Sequence, residues 1–213
     1  MNLRELQENA GRRFARLTTN VVVANPRFWR AFRALTRRQF NAAAPRWDAM
    51  RSPDAFAALE AGLAALPEAP AHALDLGTGT GKAAFAIAQR FPAADVVGVD
   101  LADGMIAEAR RLTPPDLAGR VSFEVGDAAN LRFADESFDL VSLANMIPFF
   151  DELARIVRPG GHVLLSFSGG AATPIYVPFD RLRAELERRG FAEFADFEAG
   201  VGTALLARKG VGS

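Results

Sequence analysis

The sequence predicts an α/β protein, a mostly parallel sheet wound with helices on both faces and preceded by a helical cap. Three observations lead there. Short apolar runs alternate with helical stretches between residues 73 and 167, the pattern of repeated strand–helix units. One junction, residues 73–88, passes from an apolar run through three alternate glycines into a helix. The first 51 residues differ in charge from the rest: eleven arginines stand against three acidic residues, a balance of +8, and residues 52–213 carry −8.

The division expected is therefore a basic helical cap over residues 1–70 and an α/β domain over 71–213. Half of the 213 residues are hydrophobic, and a chain of this size buries roughly 70% of its unfolded surface without needing staples. The absence of cysteine excludes disulfides, thiolate zinc sites and a cysteine nucleophile. No apolar run reaches the length of a membrane span, and residues 1–5 lack a signal-peptide core, so the expected location is the cytoplasm.

Leu3, Leu6, Ala10, Phe14 and Leu17 fall at helical spacing and predict an amphipathic helix over residues 2–17, interrupted at Thr18-Thr19-Asn20. Asn25-Pro26 begins a second helix, with Phe28, Phe32 and Leu35 on one face and Trp29 and Ala31 beside it. Arginines fill much of the remainder. Such a helix either covers a site with its arginines in water or lies on an anionic membrane surface. The solvated cover is the first expectation and weak membrane-surface contact the second. Without an aromatic stacking platform or a nucleic-acid module, no nucleic acid is expected. Ser52-Pro53-Asp54 has the form of a capped helix start, and Pro67 and Pro70 close that helix before the first strand.

Ala73-Leu74-Asp75-Leu76 is the first strand, and Gly77-Thr78-Gly79-Thr80-Gly81 is a turn into a helix beginning near Lys82. Glycines there permit positive φ and leave room for a ligand, while the helix start offers free N–H groups. A phosphate-binding P-loop is excluded, because Leu76 and Ala83 stand where it needs glycine and a hydroxyl. A dinucleotide fingerprint matches residues 79–84, with Asp100 at a suitable distance. Asp75 argues for another ligand: its carboxylate against the loop repels pyrophosphate and attracts a cationic amino group.

Residues 94–100 form a second strand ending in Asp100, a carboxylate able to accept both hydroxyls of a ribose. Leu101 and Met105 follow, placed to pack near an adenine. Residues 121–125 are the third strand, closed by Gly126-Asp127-Ala128, and residues 138–143 the fourth, leaving through Ala144-Asn145 toward Phe149 and Phe150. The crevice at the strand carboxyl ends is where a ligand sits in such sheets. Phe149 and Phe150 are expected to begin a helix and pack. Arg158-Pro159-Gly160-Gly161 is a tight turn before a fifth strand over residues 162–167, residues 180–189 a helix, and residues 191–197 and 202–208 an antiparallel pair.

The phrase Asp75-Leu76-Gly77-Thr78-Gly79-Thr80-Gly81 resembles the first motif of the class I S-adenosylmethionine-dependent methyltransferases. The likeness extends through Asp100 to Met105, Gly126-Asp127-Ala128 and the turn at 158–161, in the family's order. Phe40 to Asp48 resembles a stretch that in such enzymes folds over the cofactor, with Asn41 and Trp47 as departures. The resemblance implies a seven-stranded sheet of order 3-2-1-4-5-7-6 with strand seven antiparallel, and S-adenosyl-L-methionine as cofactor. It implies that Gly77, Thr78, Gly79 and Gly81 lie beside the methionine portion and that Asp75 acts on its amino end. Asp100 then takes the ribose, Leu101 and Met105 flank the adenine, Asp127 and Ala128 bind its edge, and Ala144 and Asn145 lie near the transferable methyl.

The function implied is methyl transfer to a small, apolar or lipid-like acceptor. Phe40, Trp47, Phe149 and Tyr176 are the candidate acceptor contacts. No catalytic base is assigned, since His72 and His162 fall at strand amino ends, away from the crevice. No metal-ligand spacing occurs. An NAD-dependent oxidoreductase and a catalytically silent cofactor-binding partner are the alternative functions.

Overall fold

The computed structural model describes residues 3–50, 52 and 54–211, with the side chains of residues 3–9 and 50 outside the description. The expectations resting on Asn2, on the Leu3 and Leu6 side chains and on Pro53 fall outside it.

Helix α1 (Leu3–Ala24) runs straight through the expected break at Thr18-Thr19-Asn20. The Thr19 hydroxyl donates to the Ala15 carbonyl one turn back at 2.8 Å, so a hydroxyl that would otherwise compete with the helix joins it. Val22 and Val23 are then carried into the main core. Asn25 caps the next turn, its side-chain oxygen accepting from Arg27 N, and a 3₁₀ turn at Pro26–Phe28 leads into α2 (Trp29–Ala43). Here too the structure corrects the sequence reading. Trp29 is the buried anchor, at 6% exposure, whereas Phe28 and Leu35 stand 54% and 46% exposed. The inward face is built from Trp29, Phe32, Thr36 and Phe40, and Phe28 points away from it. Two 3₁₀ turns follow, Ala44–Arg46 and Asp48–Met50. Helix α3 (Ala57–Ala64) starts later than Ser52, after a turn closed by Ala55 N and Ala57 N on the carbonyls of Ser52 and Asp54.

The α/β domain holds β1 (His72–Leu76), α4 (Lys82–Arg90), β2 (Asp95–Asp100), α5 (Asp103–Leu112), β3 (Val121–Val125), β4 (Phe138–Ala144), α6 (Phe150–Ile156), β5 (Val157–Phe167), α7 (Phe179–Glu187), β6 (Phe191–Ala199) and β7 (Gly202–Lys209). The sheet order is β3-β2-β1-β4-β5-β7-β6. β1 to β5 pair in parallel, and β7 runs antiparallel to both neighbours. The expected turn at Arg158–Gly161 lies inside β5 as an irregularity: Phe138 pairs with Val157, but Leu140 already pairs with His162. Gly160 takes φ 77° there.

Alternation divides the strands between two cores. Leu74, Leu76, Val141 and Leu143 face the side packed with α6, α7 and the cap residues Val22, Val23 and Trp29. Ala73, Val96, Leu140 and Leu164 face α3, α4 and α5 through Leu59, Leu63, Ile87 and Ile106. Each such large aliphatic side chain contributes about 1.5–3 kcal/mol when fully buried.

One polar tie sets the start of the sheet. Asp139 at the beginning of β4 accepts from Ala71 N at 2.8 Å and His72 N at 2.7 Å, and pairs with Arg158. Burial works against its ionisation, but the two backbone donors and the guanidinium outweigh it and hold its carboxyl below the usual range. The stability it adds is therefore complete above the ordinary aspartate pKa and fades as pH falls through the lowered native value. Asp139→Asn should cost about 1–3 kcal/mol in urea denaturation at neutral pH and flatten the acid limb of the stability curve. An unchanged acid limb would show that the tie carries no weight.

Candidate functional site

The crevice lies at the carboxyl ends of β1, β2, β3 and β4. Gly77, Gly79 and Gly81 adopt φ of 73°, 56° and 88°, values open to glycine at little cost. A Cβ on Gly77 would stand 2.7 Å from Met146 Sδ, so the loop backbone there is also pressed against the exit of β4. Gly77 N and Thr78 N both donate to Val99 O of β2, at 2.8 and 3.0 Å.

Three carboxylates occupy neighbouring positions along this edge. Asp75 of β1 is fully buried, with Oδ2 accepting the Thr78 hydroxyl at 2.7 Å. Asp100 of β2 accepts from Gly79 N at 2.9 Å through one oxygen and from Ala102 N at 2.8 Å through the other. It thereby joins the glycine loop to the start of α5. Asp127, just past β3, accepts from Trp29 Nε1 at 2.8 Å and Ala129 N at 3.1 Å on Oδ1, and from Arg33 at 3.1 Å on Oδ2. Three donors fill three of roughly four lone-pair directions, which leaves one on Oδ2 for a further donor.

The other predicted residues fall around these. Ala128 and Ala144 are buried and Leu101 half-buried. Met105 is fully buried beneath Ala44, Phe40 and Trp47, and the latter two rings meet edge to face at 5.3 Å. Phe40 and Trp47 thus stand on the α5 side of the crevice. Phe149 is buried, its ring 5.5 Å from that of Trp29, and Tyr176 packs on Phe167 at 5.1 Å. Asn145 holds a left-handed φ of 54°. Its Oδ1 accepts from Ser168 N and its Nδ2 donates to Ser168 Oγ, both at 2.9 Å, clamping the exits of β4 and β5 together.

Sequence reasoning passed over several residues that build this edge. Trp29 and Arg33 reach Asp127 from α2. Asp48 accepts from the Thr80 hydroxyl at 2.6 Å and faces Lys82 at 3.5 Å. It is the sole acidic residue between positions 9 and 53, a signal that could have marked it. Arg37 and Asn41 converge on Asp103, whose carboxyl is lowered by the Asn41 amide, its own helix N–H and Arg37. Gly98 is needed for space: a Cβ would lie 2.5 Å from Phe123 and 2.8 Å from the Thr78 hydroxyl.

What this edge offers is acceptors for hydroxyl and amine hydrogens and a strip of bare peptide. His162 lies at the far end of the sheet in a cavity of about 170 Å³ shared with Pro67, Arg158 and Arg208. Burial, then the Arg208 charge, keeps its pKa below the ordinary value. Among the described residues no group of three acidic or histidine side chains could hold a metal ion, and no helix is long and apolar enough to cross a membrane.

Residues 73–161 match the family model described as a methyltransferase domain. A demethylmenaquinone methyltransferase of Beutenbergia cavernae is 40% identical over 117 residues, 51% of this chain and 44% of that protein. An arsenite methyltransferase of Halobacterium salinarum is 37% identical over 123 residues, 54% of this chain and 29% of that one. The aligned stretch thus spans less than half the length of these curated relatives. Among solved structures, human N-acetylserotonin methyltransferase in complex with SAM superposes with a TM-score of 0.57 at 18% identity, over 73% of this chain and 52% of that one. At that identity the likeness concerns the fold.

Trp29→Phe keeps a ring against Phe149 but removes the donor to Asp127. It should lower stability by about 1–2 kcal/mol in urea denaturation and speed amide exchange along α2. Unaltered exchange in α2 would mean that the bond does not fasten the cap.

Proposed function

We infer that this chain, whose residues 73–161 match a methyltransferase-domain family model, is a class I S-adenosylmethionine-dependent methyltransferase that moves a methyl group to a small acceptor of apolar, lipid-like character. The observation that carries the reading is the row of three carboxylates, Asp75, Asp100 and Asp127, flanking a glycine loop at the ends of adjacent strands. Their order along the sheet edge, on β1, β2 and after β3, suits a ligand with an amino group, a ribose and an exocyclic amine, in that order. The same row opposes a dinucleotide, whose pyrophosphate would lie against Asp75.

On this reading Asp100 takes the ribose hydroxyls. The remaining lone pair of Asp127 takes the adenine amine, and Ala128 N donates to the ring. Leu101 and Met105 flank the base. Gly77, Thr78, Gly79 and Gly81 lie along the methionine portion, with Asp75 acting on its amino end through Thr78 or a water. Ala144 and Asn145 border the reacting end. When bound, S-adenosyl-L-methionine supplies an electrophilic sulfonium methyl. The chain's own task is then to hold an acceptor in line and exclude water, and positioning of that kind supplies much of a rate.

The acceptor side is lined by Phe149 and Tyr176, with Trp29 closing over Phe149. Aromatic walls favour an apolar, flat acceptor, and the Beutenbergia relative, named for a quinone-type acceptor, supports that class. The Halobacterium relative, named for arsenite, supports it less: arsenic(III) prefers thiolates, and this chain has no cysteine. Phe40 and Trp47, lying against Met105, are proposed to back the cofactor's base rather than the acceptor.

Calorimetric titration with S-adenosylhomocysteine and with NADH tests the reading. Micromolar S-adenosylhomocysteine binding is expected, and Asp100→Ala should weaken it by about 1–3 kcal/mol, roughly ten- to a hundredfold. Binding of NADH alone would overturn it in favour of an oxidoreductase. Cofactor binding without transfer of labelled methyl to any component of a quinone and lipid extract would mark a silent partner protein.

A further inference from the structure

We propose that the outer face of the cap is a docking surface for an anionic lipid bilayer. The charge separation between cap and domain motivates it. Of the cap arginines, Arg33 and Arg37 are spent on Asp127 and Asp103. Arg12, Arg13, Arg16, Arg27, Arg30 and Arg38 have no acidic partner among the described residues, and all six are exposed. Among the described residues, three of the six large hydrophobic side chains that stand exposed, Leu17 at 56%, Phe28 at 54% and Leu35 at 46%, belong to the same two helical segments.

The arrangement on each helix is amphipathic in the sense a membrane surface requires. From Phe28, at the end of the preceding 3₁₀ turn, through Ala31, Leu35 and Arg38 of α2, exposed residues follow at three- and four-residue spacing on the side away from Trp29 and Phe40. On α1 an open cavity of about 440 Å³ is lined by Arg12, Arg13, Arg16, Leu17, Asn20 and Pro174. Two of its guanidinium groups are held in place by backbone carbonyls, Arg12 on Ala172 at 2.8 Å and Arg16 on Thr173 at 3.4 Å. That leaves further N–H donors of each for an outside anion. The loop carrying those carbonyls leaves the carboxyl end of β5, beside Tyr176.

A phosphate headgroup in this cavity, with Leu17, Phe28 and Leu35 entering the boundary region, satisfies charge and apolar surface together. It would also set the acceptor side of the crevice against the bilayer. The proposal rests on the lipid-like acceptor reading only for that last point; the docking itself needs no methyl transfer.

Sedimentation of the full chain with sucrose-loaded vesicles tests it. Vesicles of equimolar phosphatidylcholine and phosphatidylglycerol should pellet the protein at low salt, and vesicles of phosphatidylcholine alone should not. Raising salt to about 0.5 M should release it, because screening shortens to a few ångströms. Replacing Arg12, Arg13 and Arg16 together by Gln should cut partitioning by roughly a hundredfold, and Phe28→Ser with Leu35→Ser should weaken it further. The far-ultraviolet circular dichroism and urea midpoint of each variant report that the core is folded and keep this test independent of the cofactor reading. No pelleting with anionic vesicles would overturn the proposal, as would pelleting that the arginine variant retains. Binding of inorganic phosphate, or of an RNA or DNA oligonucleotide, without vesicle pelleting would reassign the basic face and overturn it equally.

Discussion

The Asp100 carboxylate fastens two reversals of the chain at once. One oxygen holds Gly79 N in the loop after β1, and the other holds Ala102 N at the entry to α5. Both amides would otherwise be donors at turns with no strand partner. A half-buried carboxylate that accepts two backbone N–H groups is a strong local restraint, since charge-assisted bonds are shorter and stronger than neutral ones. The loop's shape therefore depends on the residue that the cofactor's ribose is proposed to meet. On that proposal binding and loop geometry are linked through one side chain, and the glycines supply only the freedom that Asp100 then removes.

The same logic repeats on either side. Asp75 is satisfied in part by the Thr78 hydroxyl and Asp127 by donors from α2. Each carboxylate of the row is thus oriented by a neighbour before any ligand arrives. Orientation of this kind lowers the reorganisation that binding demands, which is the physical content of preorganisation.

The α/β core was legible because its rules are local. Apolar runs ending in Asp75 and Asp100, glycines at alternate positions and the breaks around 92 and 114–116 each constrain the backbone where they stand. The strand order came from resemblance, and alternation alone would have left it open. The cap was misread because its helices take their direction from distant partners. Thr18-Thr19-Asn20 has poor helix propensity, but burial of Val22 and Val23 beyond it carries the helix on. On α2 the periodicity of Phe28, Phe32 and Leu35 is a sound helical signal. It placed Phe32 correctly but misplaced Phe28 and Leu35, because Trp29, with its indole N–H aimed at Asp127, offers both a large apolar body and a hydrogen bond. A polar partner ninety-eight residues away leaves no trace in local spacing.

What then holds a +8 segment on a −8 domain? The visible ion pairs, Arg33 with Asp127, Arg37 with Asp103 and Lys82 with Asp48, involve cations about half exposed. Pairs of that kind contribute about 0–1 kcal/mol each. Three buried side chains, Val22, Val23 and Trp29, contribute about 1.5–3 kcal/mol apiece by area. Apolar burial therefore contributes more than the ion pairs do, and the charges select the register in which α2 lies over the crevice. Electrostatic attraction over longer range acts on the domain as a whole, and it requires only that the two balances differ in sign. The arginines of the outer face that have no acidic partner among the described residues are not needed for that attachment. With exposed Leu17, Phe28 and Leu35 they make up the surface proposed above to face an anionic bilayer.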